Sequence, residues 1–194
     1  MIKVAKFGGS SVADAAQFRK VASIVKADSE RRYVVVSAAG KRNGVDNKIT
    51  DLLLLVNAHI QYGVDCSSLL ADIEERFVRI AEELGLEFPV KEEFARFAEG
   101  IGSASPEYVV SRGEWFTARL MAEYLDMPFV DAADAIVFHH DGTVDMERTQ
   151  TRLREAVIHN GGNFVLPGFY GATVDGQIKL FKRGGGDITG AILA

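Results

Sequence analysis

The sequence predicts an α/β fold: a mainly parallel sheet sandwiched by helices, with a helical subdomain. Three observations predict it. Short runs rich in β-branched and aromatic residues alternate with stretches of helical periodicity, the pattern of strands joined by crossover helices. Residues 48–101 carry helical spacing alone. Two glycine-rich segments, Lys6-Phe7-Gly8-Gly9-Ser10-Ser11-Val12 and Arg183-Gly184-Gly185-Gly186-Asp187, each follow a strand-like run and open a helix-like one.

Ile2 to Phe7 reads as the first strand. In the helix after it, Phe18, Val21, Ala22 and Val25 recur on one face, with Ser10 or Ser11 available as N-cap. Arg32 to Ser37 is the second strand. Three apolar stripes then follow at helical spacing: Ile49, Leu52, Leu53, Val56 and Ile60; Leu70, Ile73, Phe77, Ile80 and Leu84; Val90, Phe94, Phe97 and Ile101. They read as core, and the block they form is a subdomain with a soft boundary, since no linker or low-complexity tract sets it apart. A further helix covers residues 108–125. Pro128 to Val130 and Asn163 to Leu166 are short strand signals, and Asp141-Gly142 and Asp175-Gly176 are hairpin turns between strand-forming runs. From Asp187 the last residues read as a helix just beginning, marginal unless it docks.

Composition bounds the function. The 194 residues, 47% hydrophobic and 25% charged, suffice for one substantial core or one domain with an appended lobe. A net charge of −5 argues against nucleic acid and membrane surfaces, which need concentrated basic patches, and points to a small-molecule partner. The single cysteine, Cys66, cannot form an internal disulfide, and Ile2-Lys3-Val4-Ala5-Lys6 contains no signal h-region, so a reducing cytoplasm is expected. The longest apolar run, Leu52 to Val56, is far short of the roughly 20 residues that span a bilayer. His59, His139, His140 and His159 lack metal-ligand spacing, and no metal site is expected.

The chemistry lies in the glycine segments. A strand-to-helix turn offers unpaired backbone N–H groups to a phosphate or carboxylate. Neither segment is a GxxxxGK[ST] P-loop or a GxGxxG dinucleotide fingerprint, which disfavours P-loop hydrolysis and hydride transfer. Lys6, at a strand end beside Gly8 and Gly9, can set its ammonium over the same anion, an arrangement suited to phosphoryl transfer. A strand-end lysine facing solvent is the competing reading. Glu114 shares a helix face with Ser111, Ala118, Met121 and Leu125, so a buried carboxylate there needs a cation from the protein or from a ligand ammonium. A helix-terminal glutamate stabilised by the dipole and by solvent is the alternative.

Taken in order, these residues resemble the amino-acid kinase superfamily and, within it, the aspartate kinases. Lys6 to Val12 resembles the KFGG[ST]S opening, and Val34-Val35-Val36-Ser37-Ala38 the second strand and its turn. Ile49-Thr50-Asp51-Leu52-Leu53 is similar to the following helix start and Ser111-Arg112-Gly113-Glu114 to the SxGE motif. Pro167-Gly168-Phe169-Tyr170-Gly171 is similar to the GFxG turn, and Arg183 to Asp187 to the GRGGSD loop. The matches span the chain.

The resemblance implies an incomplete amino-acid kinase fold that moves the γ-phosphoryl of ATP, carried with Mg2+, to the β-carboxylate of L-aspartate, on the way to lysine, threonine and methionine. By position, Lys6 neutralises the transferring phosphoryl, Gly8, Gly9 and Ser10 approach the phosphates, and Asp187 orients Lys6. Arg183 grips the α-carboxylate, Glu114 pairs with the α-ammonium, and Ser37, Thr50 and Phe169 line the amino-acid pocket. Outside the resemblance, those last three read as a turn hydroxyl, an N-cap and core packing. Two departures stand out: Gly186 replaces the family's serine, removing a hydroxyl, and Lys182 replaces the first glycine. The family continues into a nucleotide-binding half and ACT regulatory domains, so residues 1–194 are expected to be the amino-acid-binding half, a truncated piece of doubtful activity alone. Either a missing C-terminal half or a homo-oligomer is the expected partner. Alternatives are a kinase for glutamate, N-acetylglutamate, carbamate or a nucleotide monophosphate, or a noncatalytic amino-acid-binding or assembly module.

Overall fold

Tyr33-Val34-Val35-Val36 is a run of strand formers buried on both faces, the signature of a central parallel strand. In the computed structural model, which describes residues 1–182 and 184–194, this run lies in β2 (Arg31–Val36). Strand β1 (Lys3–Phe7) pairs parallel to one edge of β2; α1 (Ala15–Lys26) makes the crossover between them. Four helices follow: α2 (Ile49–Gln61), α3 (Ser67–Leu84), α4 (Val90–Gly100) and α5 (Pro106–Leu125). After α6 (Ala132–Ala135), β3 (Val137–Phe138) and α7 (Met146–His159), β4 (Phe164–Pro167) returns to the other edge of β2, also parallel. The chain closes with β5 (Tyr170–Thr173), β6 (Ile178–Leu180) and α8 (Gly185–Leu193).

The expected single sheet is two three-stranded sheets. One is wholly parallel in the order β1-β2-β4; the other, β3-β5-β6, pairs β3 parallel and β6 antiparallel to β5. The β5-β6 hairpin turns at Asp175-Gly176, where Gly176 has φ +86°, as the dipeptide predicts. Asp141-Gly142 likewise reverses the chain, between Phe138 and Val144, with a single antiparallel bridge. Pro128 to Val130 forms no strand. It makes one parallel bridge, Phe129 to Val165, because Pro128 has no N–H to donate to a ladder. The cap of α1 is Asp14, whose carboxylate accepts the Gln17 N–H at 2.9 Å, whereas Ser10 and Ser11 lie within a 3-10 turn, Gly9–Val12.

Alternation along β2 separates two cores. Val34 and Val36 face the helical cluster built from α1 to α5, including Phe77, Phe94, Phe97 and Phe116; Tyr33 and Val35 face Ile136, Phe138, Phe164, Leu166 and Phe181. The three predicted stripes supply the buried faces of α2, α3 and α4, with Ile60, Leu70 and Leu84 at the margins. Gly113 lets α5 approach α2 and the turn after β2, since a Cβ there would lie 2.9 Å from Ala38 Cβ. No helix among the described residues is long and apolar enough to cross a membrane.

Parallel pairing sets Phe7, Val36 and Pro167 at one end of the first sheet. The three segments that leave those residues therefore emerge side by side, the place where open α/β sheets bind ligands. Helix α8 packs across β1 and β2 and brings the second glycine segment to the same end.

Candidate active site

A cavity of about 570 Å³ opens at this end of the sheet. Its wall draws Lys6, Gly9 and Ser10 from the first glycine segment, Ser37, Ala38 and Gly40 from the turn after β2, and Phe169 from the turn after β4. Thr50 and Asp51 come from the start of α2, Glu114 from α5, and Gly184 to Asp187 from the start of α8. Eight of the ten predicted residues line it: Lys6, Gly9, Ser10, Ser37, Thr50, Glu114, Phe169 and Asp187. Gly8 stands just behind the wall, where a Cβ would lie 3.8 Å from Lys6 Nζ. The tenth, Arg183, lies outside the described residues.

Lys6 Nζ is 2.8 Å from Asp187 Oδ1, so the last residue but one of β1 is tied to the first turn of α8. The aspartate's exposed carboxylate holds the ammonium forward while leaving it open to an incoming anion. Gly184 (φ +60°) turns the chain into α8, and Gly185 packs so closely on Phe169 that a Cβ would lie 2.7 Å from its ring. Phe169 itself has φ +77°, a left-handed conformation strained for an aromatic residue. The Thr189 hydroxyl stabilises it, accepting the Phe169 N–H at 3.2 Å and donating to the Gly185 carbonyl at 2.7 Å. At Gly186 a Cβ would meet Lys6 Cε at 2.9 Å and Ser37 Oγ at 3.0 Å. A hydroxyl therefore stands beside residue 186 even though that residue carries none.

Glu114 is 4% exposed, and its Oε2 has no hydrogen-bond partner. Burial pushes its carboxyl up to about 7, opposed by the N–H groups of Ala38 and Glu114 and by the charge of Arg112. No protein cation pairs with it among the described residues. Arg112 instead donates to Ser111 Oγ and lies over the rings of Tyr108 and Tyr170. An uncompensated acceptor in a cavity wall is a place for a ligand's cation.

Lys41 and Lys48, which the sequence reading did not single out, also line the cavity. Their signal was proximity: Lys41 follows the turn after β2, and Lys48 stands two residues before Thr50. The wall thus carries three lysines, the exposed carboxylates of Asp51 and Asp187, and one buried carboxylate, that of Glu114. Among the described residues no group of three or more His, Cys, Asp or Glu side chains is arranged to hold a metal.

The family model described as "Amino acid kinase family" matches residues 1–194. Aspartokinase 3 of Bacillus subtilis is 36% identical over 211 aligned residues, covering all of this chain and 46% of that protein. The crystal structure of Clostridium acetobutylicum aspartate kinase superposes with a TM-score of 0.94 at 40% identity, over 99% of this chain and 44% of that one. Escherichia coli aspartokinase III in complex with aspartate and ADP gives a TM-score of 0.84 at 27% identity, over the full chain and 46% of that one. The chain spans a little under half the length of these relatives.

Proposed function

The chain belongs to the amino acid kinase family, and from that membership we propose that it is the amino-acid-binding half of an aspartate kinase catalytic domain, transferring the γ-phosphoryl of ATP to the β-carboxylate of L-aspartate. The observation that carries this reading is the cavity's pairing of opposites: the partnerless Glu114 Oε2 in one wall and the Lys6–Asp187 pair in another. A free amino acid whose side-chain carboxylate meets a phosphate matches both. The aspartate and ADP held by the Escherichia coli relative support the same substrates here.

In this reading the aspartate ammonium lies against Glu114 and favours the ionised form that burial disfavours. Arg183 takes the α-carboxylate through its bidentate fork, an assignment that rests on its position in the chain. The β-carboxylate, with a usual pKa near 3.9, is already ionised at pH 7 and needs no general base. One of its oxygens bonds to the γ-phosphorus as the bond from that phosphorus to the β,γ-bridging oxygen breaks. ADP leaves with that electron pair, and aspartyl phosphate remains. Lys6, aimed by Asp187, neutralises charge on the equatorial oxygens, and the N–H groups at Gly8, Gly9 and Ser10 approach the phosphates. Magnesium would be held by the phosphate oxygens and water and would offset their charge. The aspartyl phosphate so formed would lead toward lysine, threonine and methionine, and the cytoplasm is the compartment we propose.

The free-ammonium requirement of Glu114 weighs against N-acetylated or nucleotide acceptors. Aspartyl hydroxamate formation tests the assignment, with MgATP, hydroxylamine and aspartate, glutamate or N-acetylglutamate as acceptor. Both the 194-residue chain and the longer protein that this reading implies should be assayed, with Lys6→Ala as control. Aspartate-dependent, Lys6-dependent product from the longer protein is expected; product with glutamate alone, or none from either chain, would overturn the assignment.

A further inference from the structure

Helix α3 belongs to the helical block and contributes no residue to the cavity wall, yet it carries a guanidinium on its buried face. Arg76 is 4% exposed and shares the buried face of α3 with Ile73, Phe77 and Ile80. Burying a guanidinium is costly unless its donors are matched. They are matched by one segment only, residues 40–47. Nη1 donates to the Gly40 carbonyl at 2.9 Å, and Nη2 reaches both Asp46 carboxylate oxygens at 2.7 Å and the Asn47 carbonyl at 3.2 Å. Arg42 closes the arrangement from the solvent side. Its Nε donates to Asp46 Oδ2 at 2.9 Å and its Nη2 to Oδ1 at 3.0 Å, so Asp46 lies between two arginines.

The loop so held is anchored at its base as well. The Ile49 N–H donates to the Ala39 carbonyl at 3.0 Å, and the Gly40 N–H to the Gly9 carbonyl at 2.9 Å. That second bond lays the start of the loop against the first glycine segment, the part of the cavity assigned to phosphate. Lys41 of the loop and Lys48, the residue that follows it, line the cavity.

We propose that Arg76 is a positioning residue, which reaches from the helical block to fix residues 40–47 so that Lys41 and Lys48 stand over the nucleotide's phosphates. The phosphate assignment rests on the functional reading above; the clamp rests on geometry alone. The helical block then has a function besides forming the core: it holds a cationic rim whose backbone is otherwise an exposed loop.

Two measurements, the first on the 194-residue chain and the second on the longer protein that the functional reading implies, separate the clamp from the chemistry. In the first, trypsin is added without ligand and cleavage after Lys41, Arg42 and Lys48 is followed by mass spectrometry. Arg76→Met and Asp46→Asn should each accelerate it about tenfold while cleavage elsewhere keeps its rate, whether or not the protein is a kinase. Unaltered cleavage in a folded variant overturns the clamp. Asp46→Asn is nearly isosteric and breaks the clamp from the loop side, so it stands in if Arg76→Met does not fold.

In the second, steady-state kinetics should show the KM for MgATP raised about tenfold with kcat within about twofold, the mark of lost uniform binding. Arg76→Lys should recover only part, since a single ammonium cannot reach acceptors on three residues. Lys41→Gln combined with Lys48→Gln should raise the same KM. A fall in kcat with both KM values unchanged would make Arg76 merely structural and overturn its positioning role. Faster loop cleavage in a protein with no wild-type kinase activity would overturn the phosphate assignment and the functional reading, with the clamp itself upheld.

Discussion

Gly9 and Gly40 meet backbone to backbone. A Cβ on Gly40 would lie 2.6 Å from the Gly9 carbonyl carbon and 2.8 Å from Ser10 N; one on Gly9 would lie 2.8 Å from the Ala38 carbonyl oxygen. The obstructing atoms are main chain, so neither site can yield by rotating a side chain. Gly40→Ala and Gly9→Ala should each destabilise the fold by about 1–3 kcal/mol in urea titration, the usual cost of overpacking. Both should also weaken MgADP binding in the longer protein, read by calorimetry. Gly44→Ala, with nothing within 4 Å of the added carbon, is the neutral control.

Glu114 makes the ligand-free protein sensitive to pH. Its folded value of about 7 lies above the usual 4.5, so the native state holds the proton more tightly than the unfolded chain. The stability this contributes is present below 4.5 and is lost as pH rises through 7. Glu114→Gln removes the titration. Its stability relative to wild type should therefore rise by about 2–3 kcal/mol between pH 5 and pH 8. A constant difference across that range would refute the buried-carboxylate argument. In the longer protein, the wild-type KM for aspartate should fall over pH 6–8 as the carboxylate forms, while the variant's should be higher and flat.

The ion pair of Lys6 and Asp187 predicts unequal losses. Lys6→Met removes the charge itself and should lower kcat by about 10²–10³, as loss of a transition-state donor does. Asp187→Asn keeps the ammonium but loosens its aim, and should cost about tenfold less. Equal losses in hydroxamate assays would mean that Asp187 acts on the substrate directly rather than through Lys6.

Thr189→Val keeps the volume at the junction of α8 with the Phe169 turn and removes its two hydrogen bonds. The Phe169 N–H loses its acceptor, and thermal unfolding should report a loss of about 1–3 kcal/mol. The displaced ring should raise the KM for aspartate while leaving that for MgATP unchanged. Phe169→Gly should relieve backbone strain of about 1–2 kcal/mol yet weaken aspartate binding more than Thr189→Val.

Much of this was legible in the sequence because it obeys local rules. The stripes from Ile49 to Ile101 follow helical spacing, and Asp175-Gly176 carries its turn type in two residues. The glycine segments announced the site because a strand-to-helix turn leaves N–H groups free. What escaped was non-local. That the strands divide into two sheets depends on β4 choosing β2 while β5 pairs with β3, a choice that neither strand encodes alone. Asp14 displaced Ser10 and Ser11 as cap because the glycine segment first makes a 3-10 turn. Lys41 and Lys48 were not singled out, and the hydrogen bonds that hold the segment between them come from Arg76, 29 to 36 positions away in the chain.

The order of the parallel sheet also sets a schedule for folding. Strand β2 is complete at Val36, but its second neighbour, β4, begins at Phe164, with α2 to α5 in between. Contacts of such sequence separation form slowly, because a long loop must close before they reward it. On a ribosome the helices between can pack on one another while one edge of β2 waits, bare, for a strand not yet synthesised. Lys6 waits longer still for Asp187. A nascent chain short of α8 therefore has its glycine turn and its lysine but no assembled site, and the interval before β4 arrives is when the exposed edge is most open to pairing with another chain.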